Sequence, residues 1–282
     1  MICVTFNLLR HESFNCKRHI SFDFCCTPVE QGGAATGNEG LSSVGLGFGW
    51  GGMKLDRFLG KHESAGRRQA RQWVVERRVT VDGALALRVD LEVDRFSRVE
   101  LNGELLGDPE ERLHIMLHKP VGVVSATVDA EHPTVLDLID HPAKESLHLV
   151  GRLDRNTSGL VLLTNDGQWS KRMMDPAAKV PKVYRVETID PIPDEAVARF
   201  AEGFYFHTED LTTLPALLEI IGPRSARLTL HEGRYHQIKR MFHRIGNRVV
   251  KLHRESIGEI LLPDDLGAGE WRMLEREEIM LR

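Results

Sequence analysis

Asp154 stands in the string Gly151-Arg152-Leu153-Asp154-Arg155-Asn156-Thr157-Ser158-Gly159-Leu160, one carboxylate among polar turn residues, directly ahead of the apolar run Val161-Leu162-Leu163. There it can cap a turn by accepting from the amides of Asn156 or Thr157. It can equally act as a nucleophile or base on a reacting atom brought to it. Asn165-Asp166-Gly167 predicts a hairpin turn, so the segment reads as loop, buried strand and turn, with Asp154 on a loop held by the strand. Two other segments carry chemistry-bearing groups. Tyr184 follows Pro181-Lys182-Val183 and precedes Arg185, and Arg234, Lys239, Arg240, Arg244 and Arg248 form a basic stretch with no acidic residue among them. Taken alone, such a tyrosine is half-buried strand core with a wet hydroxyl, and such a stretch is a solvated helix face.

The elements that must position these groups are short. His114-Ile115-Met116-Leu117 reads as a strand and Lys119-Pro120-Val121-Gly122 as the turn after it. Residues 180–189 and 226–231 read as strands, 194–202 as a helix, and 235–245 as a helix opened by Glu232-Gly233. This alternation predicts an α+β fold with a mixed or antiparallel sheet. Upstream, Met53 to Leu59 begins an amphipathic helix and residues 67–77 form a second one. Short strands follow at 79–81 and 99–101, each ending in a turn, Asp82-Gly83 and Asn102-Gly103. The expected organisation is an extension at 1–52, a small module at 53–106, a linker at 107–112 and a larger domain at 113–282. Gln31 to Gly52 is rich in Gly and Ser and lacks periodicity, so the extension is expected to be disordered, or to be a misassigned start with Met53 the natural one. Glu12, Asp23 and Glu30 argue against a transit peptide.

Composition narrows the function classes. With 282 residues and 41% hydrophobic content, the chain has room for two ordinary domains. A net charge of -4 excludes a binder that grips nucleic acid everywhere, leaving local basic patches for any such contact. All four cysteines fall within the first 26 residues, at spacings unsuited to a zinc site, so neither a disulfide framework nor a metal is expected in the main body. No run of about 18 apolar residues marks a membrane span. The thirteen histidines occur without a Ser-His-Asp order, which argues against a hydrolase triad.

The string from Gly151 to Leu160 resembles the catalytic motif of the pseudouridine synthases: Gly-Arg-Leu-Asp, two variable residues, Thr, any residue, Gly-Leu. Three further segments are similar to that family in the same order. They are His118-Lys119-Pro120-Val121-Gly122, with His where Asn is usual, Lys182-Val183-Tyr184, and Glu232 to Phe242. The resemblance covers nearly all of residues 53–282. His132-Pro133-Thr134-Val135, Tyr235-His236 before Gln237, and Leu252 to Gly258 favour the branch that modifies 16S ribosomal RNA. It implies that Asp154 is the catalytic aspartate, Tyr184 the aromatic that stacks on the target base, Lys239 the cation paired with Asp154, and Ile238 an aliphatic packed near the base. Arg152 and Arg240 join Ile238 as substrate-binding candidates, with Arg240 the competing partner for Asp154. Residues 53–106 resemble the S4-like RNA-binding domain, which implies phosphate contacts from Arg67, Arg68 and Arg71, with Arg234 as a further RNA contact.

The implied reaction breaks the bond from ribose C1′ to N1 of uracil, turns the base and joins C1′ to C5, so no cofactor is required. A carboxylate can attack C1′ or take a proton from C2′, and the residues leave both routes open. Either requires an ionised Asp154 where water is excluded, and a nearby cation favours that charge. The implied substrate is 16S ribosomal RNA, as a partly assembled small-subunit particle, acted on in the cytoplasm by a monomer. Two other readings stand beside it: a synthase acting on 23S or transfer RNA, and an RNA-binding assembly factor in which the chemistry has lapsed.

Overall fold

The computed structural model describes residues 52–63 and 65–280, so the expectations for residues 1–51 lie outside the described residues. The chain begins with β1 (Met53–Lys54), α1 (Leu55–His62) and α2 (Arg67–Val75). Then come β2 (Val79–Val81), β3 (Ala84–Leu85), β4 (Glu92–Val93), β5 (Val99–Leu101) and β6 (Glu104–Leu106). Strands β3, β2, β5 and β6 form an antiparallel sheet in that order. Its hairpins turn at Asp82-Gly83 and Asn102-Gly103, where both residues of each pair have positive φ, as the tight primed turns require. Leu55, Phe58 and Leu59 of α1 pack with Ala70, Trp73 and Val74 of α2 and with Val79, Val81, Val99 and Leu101 of the sheet. That apolar cluster contains nothing beyond residue 106.

The larger part follows in chain order as β7 (His114–Lys119), β8 (His148–Val150), β9 (Ser158–Thr164), α3 (Gly167–Met174) and β10 (Lys182–Thr188). Next are α4 (Glu195–Glu202), β11 (Tyr205–Phe206), β12 (Leu211–Thr212), β13 (Leu217–Gly222) and β14 (Ser225–Leu230). The chain closes with α5 (Gln237–Arg244), β15 (Val249–Ile257), β16 (Ile260–Leu261), β17 (Trp271–Met273) and α6 (Arg276–Met280). A mixed sheet runs β13-β14-β10-β15-β9-β7-β17, with β8 added to β9 and β16 to β15. Only β9 and β15 run parallel in it, and they share just two residue pairs, His253 with Ser158 and Arg254 with Gly159. The two halves of the sheet are therefore joined by a short seam at the start of β9.

Alternation along β9 explains its continuous apolar run. Val161 and Leu163 enter the main cluster, with Tyr184, Val186, Phe200, Leu228, Ile238 and Phe242, while Leu160 and Leu162 enter a second cluster on the opposite face with Trp169 and Met173. The two parts of the molecule meet through polar contacts. Arg95 donates to the carbonyl of Asn165, and Arg112 lies 3.0 Å from Asp94 and 3.5 Å from Asp166.

Two local expectations are corrected. Asn165-Asp166-Gly167 is not a hairpin turn but the start of α3: the Asp166 carboxylate accepts from the amides of Gln168 and Trp169 at 2.9 and 3.0 Å. A strand followed by an Asx residue can go either way, and here the apolar face of α3, Trp169 and Met173, finds a core to cover. Glu232-Gly233 do not open the last long helix either. It begins at Gln237, because His236 has φ 48° and ψ 29°, the left-handed conformation.

Candidate active site

The loop 151–157 leaves β8 and enters β9 at the seam. Its backbone is held by two buried cations. Lys119, fully buried at the end of β7, donates from Nζ to the carbonyls of Pro120 at 2.9 Å, Arg155 at 3.3 Å and Thr157 at 2.7 Å. Arg254, 1% exposed on β15, donates from Nε to the Leu160 carbonyl at 2.7 Å and from Nη1 to the Arg152 carbonyl at 3.5 Å. Burial, opposed by the Asp154 charge and helped by that of Arg254, brings the Lys119 ammonium down to a pKa of about 8. Gly159 makes the seam possible: at φ 110°, a Cβ there would lie 2.3 Å from the Arg254 carbonyl oxygen and 2.5 Å from its nitrogen.

With the backbone so held, the Asp154 side chain has no turn to cap. The amide of Thr157 donates to the Asp154 carbonyl at 3.0 Å, and the carboxylate projects toward α5. Its Oδ2 accepts from Lys239 Nζ at 2.7 Å and lies 3.5 Å from Nε2 of His236, both groups being about one-third exposed. Leu153, Tyr184 and Ile238 belong to the same apolar cluster, so three of the four matched segments converge. Tyr184 is 8% exposed, on β10 between Leu228 of β14 and Arg254 of β15.

Other expected site residues fall differently. Arg240, one position from Lys239, turns away from Asp154 to Glu209, with Nη1 and Nη2 at 2.8 and 2.7 Å from its carboxylate oxygens, and lies over the Phe206 ring at 3.6 Å. The basic stretch is thus partly neutralised by acids outside it: Glu209, on the turn between β11 and β12, pairs with Arg240, and Glu232 pairs with Arg234 at 3.0 Å. Arg152 is exposed and contributes its carbonyl to Arg254. On α2, Arg67 and Arg68 face solvent with no ion partner among the described residues, whereas Arg71 is 3.1 Å from the buried Asp56. His118 serves packing, its Nδ1 lying 2.7 Å from the Leu266 carbonyl and its ring edge-on to His253.

Lys119 and Arg254 were both inside segments that the sequence singled out, yet neither stood out as part of the site. A charged residue is exposed by default, and nothing local in the sequence pointed to burial.

Residues 113–244 match the family described as RNA pseudouridylate synthase. A ribosomal small subunit pseudouridine synthase A from Pseudomonas aeruginosa is 53% identical over 227 residues, which span 80% of this chain and 99% of that protein. The chain belongs to the RNA pseudouridylate synthase family. The protein of the same name from Escherichia coli is 44% identical over 80% of this synthase and 98% of its own length. A solved structure, described as a pseudouridylate synthase, superposes with a TM-score of 0.59 at 39% identity, covering 80% of this chain and 98% of its own. The synthase is therefore an RNA-modifying enzyme, and its Gly151–Leu160 string forms the loop that carries Asp154.

Proposed function

We propose that this synthase isomerises a specific uridine of 16S ribosomal RNA to pseudouridine during small-subunit maturation, with Asp154 as the catalytic carboxylate. The observation that carries the reading is the 2.7 Å pair between Lys239 on α5 and Asp154, 85 residues away on a loop whose backbone is fixed by buried cations. The 16S assignment is supported by near full-length similarity to relatives named for the ribosomal small subunit.

In the reaction the C1′–N1 bond breaks, the uracil turns, C1′ joins C5, and the proton leaving C5 is balanced by one gained at N1. Asp154 acts on the sugar, at C1′ or at the C2′ proton, and the Lys239 ammonium, donating to its carboxylate, fixes where that carboxylate points. Tyr184 and Ile238 hold the base, and the uridine must leave its helix to reach them. Residues 53–106 serve as an S4-like RNA-binding module, supported by their separate apolar cluster and by the solvent-facing Arg67 and Arg68 on α2. The enzyme works as a cytoplasmic monomer on a partly assembled particle.

The test is pseudouridine mapping of 16S RNA in a small-subunit assembly particle, incubated with the protein or with Asp154→Asn. One new pseudouridine made only by the unaltered protein is the expected result. Modification of 23S or transfer RNA instead would overturn the 16S assignment while keeping the chemistry.

A further inference from the structure

The catalytic carboxylate does not face solvent alone: two stacked aromatic rings lead outward from it. The His236 imidazole, with Nε2 3.5 Å from Asp154 Oδ2, lies against the Tyr235 ring, centroids 3.9 Å apart and planes inclined by 22°. Tyr235 is 75% exposed, so its ring has His236 on one side and is otherwise largely open.

The stack is built rather than incidental. His236 holds φ 48° and ψ 29°, a conformation that costs a non-glycine residue and persists only where the surroundings fix it. Those surroundings are specific. Glu232 accepts from the Leu214 amide at 2.9 Å, from Arg234 Nε at 3.0 Å and from Gln237 Nε2 at 2.8 Å. The buried Gln237 accepts from the Arg234 amide at 3.0 Å, and Arg240 Nη1 donates to the Tyr235 carbonyl at 3.3 Å. The result is a segment whose backbone is held in place and whose two stacked rings run from the reacting carboxylate outward to solvent.

We propose that Tyr235 is a stacking platform for a nucleobase neighbouring the target uridine, and so an RNA-binding residue of this synthase. One imidazole separates the ring from the carboxylate, which places it beyond the sugar under attack and beside the next nucleotide. Extruding a uridine unstacks its neighbours, and an exposed π-face held in place recovers that stacking whatever the base. This inference rests on the reading that RNA is presented to Asp154.

The experiment uses the full chain carrying Asp154→Asn, so that chemistry is stopped, and the RNA that the unaltered protein modifies, with 2-aminopurine placed on either side of the target. Tyr235→Ala is expected to raise Kd roughly tenfold, the scale of losing one base–aromatic stack, and to brighten one of the two probes. Tyr235→Leu, which keeps bulk without a π-face, should behave like Ala, while Tyr235→Phe and Tyr235→Trp stay close to the parent. A Tyr235→Ala protein with unchanged Kd and both probes unchanged overturns the platform, as does a Phe variant that loses as much as Ala. If the unaltered protein makes no pseudouridine in any RNA supplied, the site reading itself fails and takes the platform with it. An active unaltered protein with an indifferent Tyr235 overturns the platform alone.

Discussion

Lys239 Nζ lies 2.7 Å from Asp154 Oδ2, while its neighbour Arg240 is bound to Glu209 at the same distance. Successive residues on a helix point about 100° apart, so only one of the two can face the loop. Lys239→Ala is expected to lower single-turnover pseudouridine formation by about 10²-fold or more, the scale of removing one preorganised charge, while RNA affinity changes little. A near-normal rate in that variant would dissolve the assigned pairing. Lys239→Arg should recover part of the rate, since a guanidinium supplies the charge with a different shape.

Arg240→Ala should act on binding rather than on the chemical step. Its loss frees Glu209 and the turn between β11 and β12, so KM should rise while the single-turnover rate at saturating RNA stays within about tenfold of normal, as expected when only ground-state binding is removed. A collapse of that rate as deep as for Lys239→Ala would reverse the assignment of partner.

Lys119 gives a pH dependence with opposite signs for rate and stability. Below a pKa of about 8 its ammonium supplies three donors to three carbonyls; above it, the amine supplies two donors and turns a lone pair toward a carbonyl. The single-turnover rate should therefore fall as pH rises through about 8. The folded pKa lies below the ordinary value of 10.5, so between about 8 and 10.5 the unfolded chain binds more protons, and stability from this group rises with pH. Urea unfolding of the native protein and of Lys119→Met, compared at both ends of that window, should show the difference shifting in favour of the native protein at high pH. A shift the other way would refute the assignment.

Gly159→Ala is expected to destabilise the fold by at least about 2 kcal/mol, through positive φ and a backbone collision together. The collision is with Arg254, at the two-pair seam joining the halves of the sheet, so pseudouridine formation should fall with stability. Urea midpoints within experimental error of the native protein would show that β9 and β15 can separate at no cost.

On α2, Arg67→Ala and Arg68→Ala should each flatten the salt dependence of RNA binding by about one unit of log K per log salt where the arginine meets a phosphate. Arg71→Ala should act instead through the module itself, because Arg71 pairs with the buried Asp56. Affinity titrations across a salt series separate the two behaviours.

What the sequence determined by itself was local. Asp82-Gly83 and Asn102-Gly103 dictate tight turns because the backbone needs positive φ there, and the run from Leu160 to Leu163 dictates a strand buried on both faces. The string around Asp154 identified the loop, its carboxylate and, by resemblance, the family. Tertiary structure decided what depends on direction and on burial. Whether Asn165-Asp166-Gly167 turns into a hairpin or caps a helix depended on a core for Trp169 to enter. Whether Lys239 or Arg240 reaches Asp154 depended on which face of α5 meets the loop. That Lys119 and Arg254 lie beneath the site, bonded to backbone carbonyls, could not be read locally, since a lone basic residue belongs at the surface until the fold supplies enough carbonyl oxygens to replace its water.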